Sequence, residues 1–214
     1  MKLLIESISR VATQHNSPSD DNHADGRISS AIAEAPHLNK MKELFDLKMS
    51  RYNIPFEISP PREWYDFKVG PFHINLKLTT GGTDNAFTKR AIVFTLCGTL
   101  DGVPKNMNIN QMMEHIKRLG VKRIRDIQTE YYYLVVHKKT GKSMFKSIID
   151  IHKYISNPSN LFQINWNHEF THKDYVCDSY ERKIEELIMA FKTSIEKKHS
   201  GENKIKEFDG FSDE

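Results

Sequence analysis

"EWYDFKVGPFHINLKLTTGG", residues 63–82, holds two strand-like runs on either side of Gly70-Pro71. After that turn Phe72, Ile74, Leu76 and Leu78 alternate with His73, Asn75, Lys77 and Thr79, the period of two expected of a half-buried strand. "DFKVG" before the turn reads as the antiparallel partner, so the stretch predicts a hairpin. The alternation puts Asn75 and Lys77 on one face, near Asp66 at the end of the neighbouring run. An anionic oxygen, an amide oxygen and an ammonium are thereby brought together. Phosphodiester hydrolysis uses such a set: oxygen donors hold a hard divalent cation, and a lysine orients or deprotonates a water and offsets the growing charge. The backbone carbonyl of Leu76 is a further candidate metal ligand.

Outward from the hairpin, the pattern alternates between helix and strand. Leu3, Leu4, Ile8 and Val11 predict a first helix over residues 2–14, and "HNSPSDDNHADG" (15–26) reads as a loop. A second helix is expected from Ser29 to Tyr52, broken or kinked near Pro36, and ended by the three prolines of "NIPFEISPPRE". "AIVFTLCG" (91–98) reads as a strand because it is apolar and β-branched. "NINQMMEHIKRL" (108–119) reads as a helix capped by Asn108 or Asn110 and stopped by Gly120. Tyr131 to His137 is a strand, "KKTGK" a turn, and residues 180–198 an amphipathic helix with Ile184, Leu187, Ile188, Phe191 and Ile195 on one stripe. This order predicts an α/β fold with a mixed sheet flanked by helices. A single domain over residues 1–200 is expected, with residues 1–35 as a helical arm suited to dimerisation and residues 201–214 as a disordered tail.

Composition narrows the class. Twelve Phe, eight Tyr and two Trp in 214 residues supply the bulky groups of a folded core. No run approaches the roughly 18 apolar residues of a membrane span, so a cytoplasmic protein is expected. Cys97 and Cys177 lack metal-type spacing and read as buried thiols. His168 and His172 stand four apart, as a helical zinc pair would, but the preceding "FQINW" reads as strand and no third ligand is evident, so they are read as surface histidines.

The net charge of +3 is mild but unevenly placed. Between Lys105 and Lys146 ten Lys/Arg face three Asp/Glu, a footprint suited either to phosphates or to a solvated surface. Lys117, Arg118, Lys122, Arg123 and Arg125 form one cluster of candidate DNA contacts, and Lys142 and Lys146 belong to a second. Thr79, Thr80, Gly81, Gly82, Thr83 and Asn85 follow the central strand as small residues able to approach a groove.

Asp66, eight residues, then Asn75-Leu76-Lys77 resembles the PD-(D/E)xK signature of the restriction endonuclease-like nucleases. Tyr65 stands where that signature has proline, and Asn75 where it has a second acid. "INLKLTTGGTDNAFTKRAIVFTLCG" is similar to the EcoRV-like branch, and "KELFDL" resembles the helix that presents an auxiliary acid there, which maps to Glu43. The resemblance covers about residues 40–100. It implies a type II restriction endonuclease: a homodimer that cuts double-stranded DNA with Mg²⁺, using Asp66, Asn75, Lys77 and Glu43 as catalytic residues and Asp66, Asn75 and Leu76 as metal ligands. An amide adds no charge, so the implied site is a weakened one, with Glu57 or Glu63 as other sources of the missing acid. A non-catalytic DNA-binding protein on the same fold, or a repair or junction nuclease, are the alternatives.

Overall fold

The computed structural model describes residues 2–15, 26–50, 52–85, 88–159 and 161–198. They fold as two compact units, one of residues 1–82 and 128–148, the other of residues 83–127 and 149–214. The expected loop at residues 16–25 and the expected tail at residues 201–214 lie outside the described residues.

The first unit is built on a five-stranded mixed sheet in the order β1-β2-β3-β5-β6. Its strands are β1 (Phe56–Ile58), β2 (Phe67–Val69), β3 (Phe72–Thr79), β5 (Tyr131–His137) and β6 (Ser143–Ser147). The expected hairpin is β2–β3: Val69 pairs with Phe72 across Gly70-Pro71. Gly70 takes φ +57°, open to glycine and strained for other residues, and the fixed φ of Pro71 suits the second place of a type II′ turn. β3 then runs parallel to β5, with Asn75 opposite Tyr133 and Lys77 opposite Val135, and β5 turns back into β6. β1, which pairs with β2, falls within the proline-rich stretch that reads in sequence only as a helix stop.

Two helices cover one face of this sheet: α1 (Lys2–His15) and α2 (Gly26–Met49). Ile5, Ile8 and Ala12 of α1 and Leu38, Met41 and Phe45 of α2 pack against Phe67, Val69, Ile74, Leu76, Tyr132, Leu134 and Val136. The glutamate Glu6 ties α1 to β6, accepting from the Phe145 amide at 2.8 Å. α2 runs through Pro36 without a break, at the cost of the hydrogen bond that proline cannot donate.

The second unit contains α3 (Lys89–Cys97), α4 (Ile109–Leu119), α5 (Trp166–Thr171) and α6 (Tyr180–Lys198). A three-stranded antiparallel sheet accompanies them, in the order β4 (Thr83–Asp84), β8 (Phe162–Asn165), β7 (Ile155–Ser156). Residues 91–98, expected as a strand, are helical as far as Cys97. Thr88 caps the run by accepting from the Ala91 amide, and Gly98 closes it in the left-handed region with its N–H on the Phe94 carbonyl. Ala91 to Leu96 are all buried, so the helix is apolar on every side and has no polar face from which its period could be read. α4 carries the expected cap at Asn108, completed by Gln111 into a capping box. No helix among the described residues is long and apolar enough to cross a membrane.

Candidate active site at the edge of strand β3

β2 pairs with β3 only as far as Ile74. Beyond that point β3 keeps β5 on one side and loses its neighbour on the other. In a strand, alternate residues direct their N–H and C=O groups to the same side. Ile74 accepts from the Asp66 amide on the β2 side and Thr79 accepts from the Lys138 amide on the β5 side, so Leu76 and Leu78 address the vacated edge.

Two carboxylates serve that edge. Asp66 turns its own side chain onto it, and Oδ2 accepts from the Leu76 amide at 2.7 Å. Glu34, in α2, accepts from the Leu78 amide. The Leu76 carbonyl projects from the same edge between those two amides. Both acids are raised in pKa by burial: Asp66 is lifted against the opposing pull of the Leu76 amide and Lys77. The Glu34 carboxyl is pushed from an ordinary 4.5 up to about 7, again chiefly by burial, with the Lys77 ammonium lowering it and the Asp66 carboxylate raising it. Glu34, Asp66 and Lys77 thus form one electrostatically coupled group.

Asn75 and Lys77 share the face of β3 opposite Ile74 and Leu76, as the alternation predicts. The Asn75 amide hydrogen-bonds with the hydroxyl of the fully buried Tyr131, which donates to the Trp64 carbonyl at 2.9 Å. Its buried Oδ1 has no hydrogen-bond partner, so the bond to Tyr131 is made by the amide nitrogen. An orphaned amide oxygen, a backbone carbonyl and two carboxylates are all hard donors, and this chemistry fits Mg²⁺. Trp64 also stacks on His73 with centroids 4.7 Å apart, and the imidazole is pushed down to about 4 by burial and by Lys68.

Glu43, the acid expected from the second helix, is exposed and paired with Lys40 at 3.0 Å. Nine residues separate it from Glu34, two and a half turns at ~100° per residue, so the two point from opposite sides of α2. Glu57 is exposed on β1. Glu34 is not singled out by the sequence because it lies two residues before Pro36, where the pattern predicts a break in the helix.

The expected DNA contacts are placed unevenly. Thr80, Gly82, Lys117, Arg118, Arg123 and Lys142 are exposed, and Lys122 is half-buried. Lys117 and Arg118 occupy the last turn of α4, where cations also suit the helix dipole. Thr79 is buried and caps the following turn by accepting from the Gly81 amide. Thr83 is exposed in β4, and Asn85 accepts from Gln163 at 2.9 Å. Lys146 is only 3% exposed, and Arg125 is held by Asp150 through bonds of 2.7 and 3.1 Å. Both are therefore poorly placed for phosphate.

The two cysteines are free and half-buried, and burial pushes the Cys97 thiol up to about 11. Trp166 is fully buried and donates to Asp84 at 3.0 Å. His168 lies on α5 and His172 caps it, since β8 ends at Asn165, one residue before the helix begins. No protein-family model, curated protein or solved structure gives a significant match to the chain.

Proposed function

We propose that the chain is a Mg²⁺-dependent endonuclease with a restriction endonuclease-like fold, acting on double-stranded DNA as type II restriction enzymes do. The observation that carries this reading is the vacated edge of β3, where Asp66 and Glu34 bond to adjacent strand amides on either side of the Leu76 carbonyl. Asp66, Glu34, the Leu76 carbonyl and Asn75 Oδ1 would hold the cation, whose charge offsets that of the phosphoryl oxygens as the bond breaks. Glu34 supplies the acid that Asn75 lacks, in place of Glu43. Lys77 orients the attacking water and places its ammonium beside the developing charge. The exposed Lys142 of the same unit, and by themselves the exposed Lys117, Arg118 and Arg123, are the side chains offered to DNA phosphates. Cutting both strands of a symmetric site calls for two copies about a two-fold axis, hence a homodimer.

The test is incubation of the purified protein with mixed-sequence plasmid and viral DNA plus Mg²⁺, beside Lys77→Ala. Discrete fragments from the wild type alone are expected. One observation favours a second reading: the half-exposed Asn75 buries its amide oxygen and bonds to Tyr131, as a structural amide would. A duplex-binding protein without cleavage would bind DNA salt-sensitively and leave it intact under both Mg²⁺ and Mn²⁺.

A further inference from the structure

His152, in the segment after β6, faces His168 and His172 in the second unit. One ligating nitrogen from each of the three lies within 4.8 Å of the others. Nδ1 of His152 and Nε2 of His168 are 2.9 Å apart and share one proton. His172 directs Nδ1 to the His168 carbonyl and to Thr171 Oγ1, each at 2.9 Å, which leaves Nε2 for the cluster.

The scaffold beneath these rings is fixed. The fully buried carboxylate of Glu169 accepts from the backbone amides of His152 and Lys153 at 2.9 and 3.2 Å. From the other side the buried ammonium of Lys183 donates to the His152 carbonyl at 3.2 Å. His152 is therefore held by both its N–H and its C=O, with its ring left to face the other two. The ammonium is paired with Glu186 at 2.7 Å, which limits its repulsion of a nearby cation.

We propose that His152, His168 and His172 form a Zn²⁺ site, separate from the acidic edge of β3, with three imidazole ligands and a fourth position open to water. Imidazole nitrogens are borderline donors that select zinc and its neighbours over Mg²⁺, whereas the all-oxygen edge of β3 has the opposite preference. Zn–N bonds of about 2.05 Å in a tetrahedron place ligand nitrogens about 3.3 Å apart. His152 and His168 need only part slightly from 2.9 Å, with the metal replacing their shared proton. His172 must swing off the His152 ring, on which it stacks with centroids 4.1 Å apart. The Nδ1–H bond of His172 to a backbone carbonyl is of the kind that orients metal-bound histidines.

The test titrates metal-stripped full-length protein with Zn²⁺ in millimolar Mg²⁺ and follows imidazole nitrogens by long-range ¹H–¹⁵N NMR. Of the ten histidines, three are expected to shift together and saturate at one equivalent. Co²⁺ in place of zinc should give visible absorption bands of a four-coordinate site. His168→Asn and His172→Gln should each lose those bands and weaken zinc binding at least tenfold, and Asp66→Asn should leave both unchanged. No saturable shift, or shifts confined to other histidines, would overturn the proposal. The wild-type spectrum identifies the ligands directly, so it decides between these outcomes even where a variant fails to fold.

Discussion

Glu34 and Leu78 are joined by a hydrogen bond that Glu34→Gln would keep, since the amide oxygen accepts as the carboxylate does. The substitution therefore removes charge and little else. In the folded chain the carboxyl is held at about 7 rather than 4.5. Because the folded value lies above the unfolded one, the proton it retains stabilises the fold fully below about pH 4.5, and that stability drains away as pH rises through about 7. The displacement corresponds to a ceiling of about 3 kcal/mol lost by the wild type across that window. Solvent at the partly exposed carboxylate reduces it, so an expected loss is about 1–3 kcal/mol. Glu34→Gln carries no such burden. Urea unfolding without metal should therefore show the variant more stable than the wild type at pH 8 and indistinguishable from it near pH 4.5.

The same charge governs the proposed Mg²⁺ site with the opposite sign. A cation needs the ionised carboxylate, and with a pKa of about 7 the ionised fraction falls about 25-fold between pH 7.5 and 5.5. Mg²⁺ affinity by calorimetry should fall with it in the wild type. In Glu34→Gln, affinity should be lower at pH 7.5 and its pH dependence shallower, with Asp66 left as the titrating ligand. A variant no more stable than the wild type at pH 8, with undiminished Mg²⁺ affinity, would refute the placement of Glu34 in the site.

Lys77→Ala should abolish cleavage while changing duplex affinity by less than about threefold, since a single ammonium is lost from a site that holds DNA by many; a gel-shift assay beside the cleavage assay separates the two. His37, buried between α1 and α2 and within 3.3 Å of Ser9, is held at about 4 against an ordinary 6.5, so its contribution to stability is full above pH 6.5 and lost as pH falls toward 4. An NMR titration of His37 should show no protonation above about pH 5, and a midpoint near 6.5 would contradict its burial. Arg125→Ala leaves the Asp150 carboxylate half-buried without its guanidinium, so it should cost about 1–3 kcal/mol in urea unfolding and leave the salt dependence of DNA binding unchanged. Arg123→Ala should do the reverse, lowering that slope by about 0.9 with stability intact.

Where a side chain alternates between core and solvent, the sequence is readable, and where burial is complete it is not. β3 shows its faces because Ile74 and Leu76 pack against α1 and α2 while Asn75 and Lys77 stay half-exposed. α3 is misread as strand because its apolar positions are buried on all sides, although Thr88 and Gly98 mark its ends as caps. Asp66, Asn75 and Lys77 are legible as a group because one hairpin carries them. Glu34 reaches the same edge from 32 residues upstream of Asp66, through tertiary packing of α2 that no local period records. His152 is invisible for the same reason: the pair His168 and His172 is in the sequence, but the third imidazole arrives by a turn held on Glu169 and Lys183.

The edge of β3 also supplies a physical reason for the proposed cation. A strand that loses one neighbour exposes N–H groups that must find acceptors, and buried amides left bare are costly. Neutral acceptors would serve. This chain uses two carboxylates, on Leu76 and Leu78, with a carbonyl oxygen directed out between them. Structural needs alone do not favour this choice, because burial raises both acids and the Asp66 carboxylate raises Glu34 further. Lys77 relieves part of the repulsion, yet Glu34 still stays at about 7. Three oxygen donors with excess negative charge and an orphaned amide oxygen on the adjoining face are relieved together by a hard divalent ion. A proton on Glu34 relieves them only in part, and this is why metal and proton should compete for that residue.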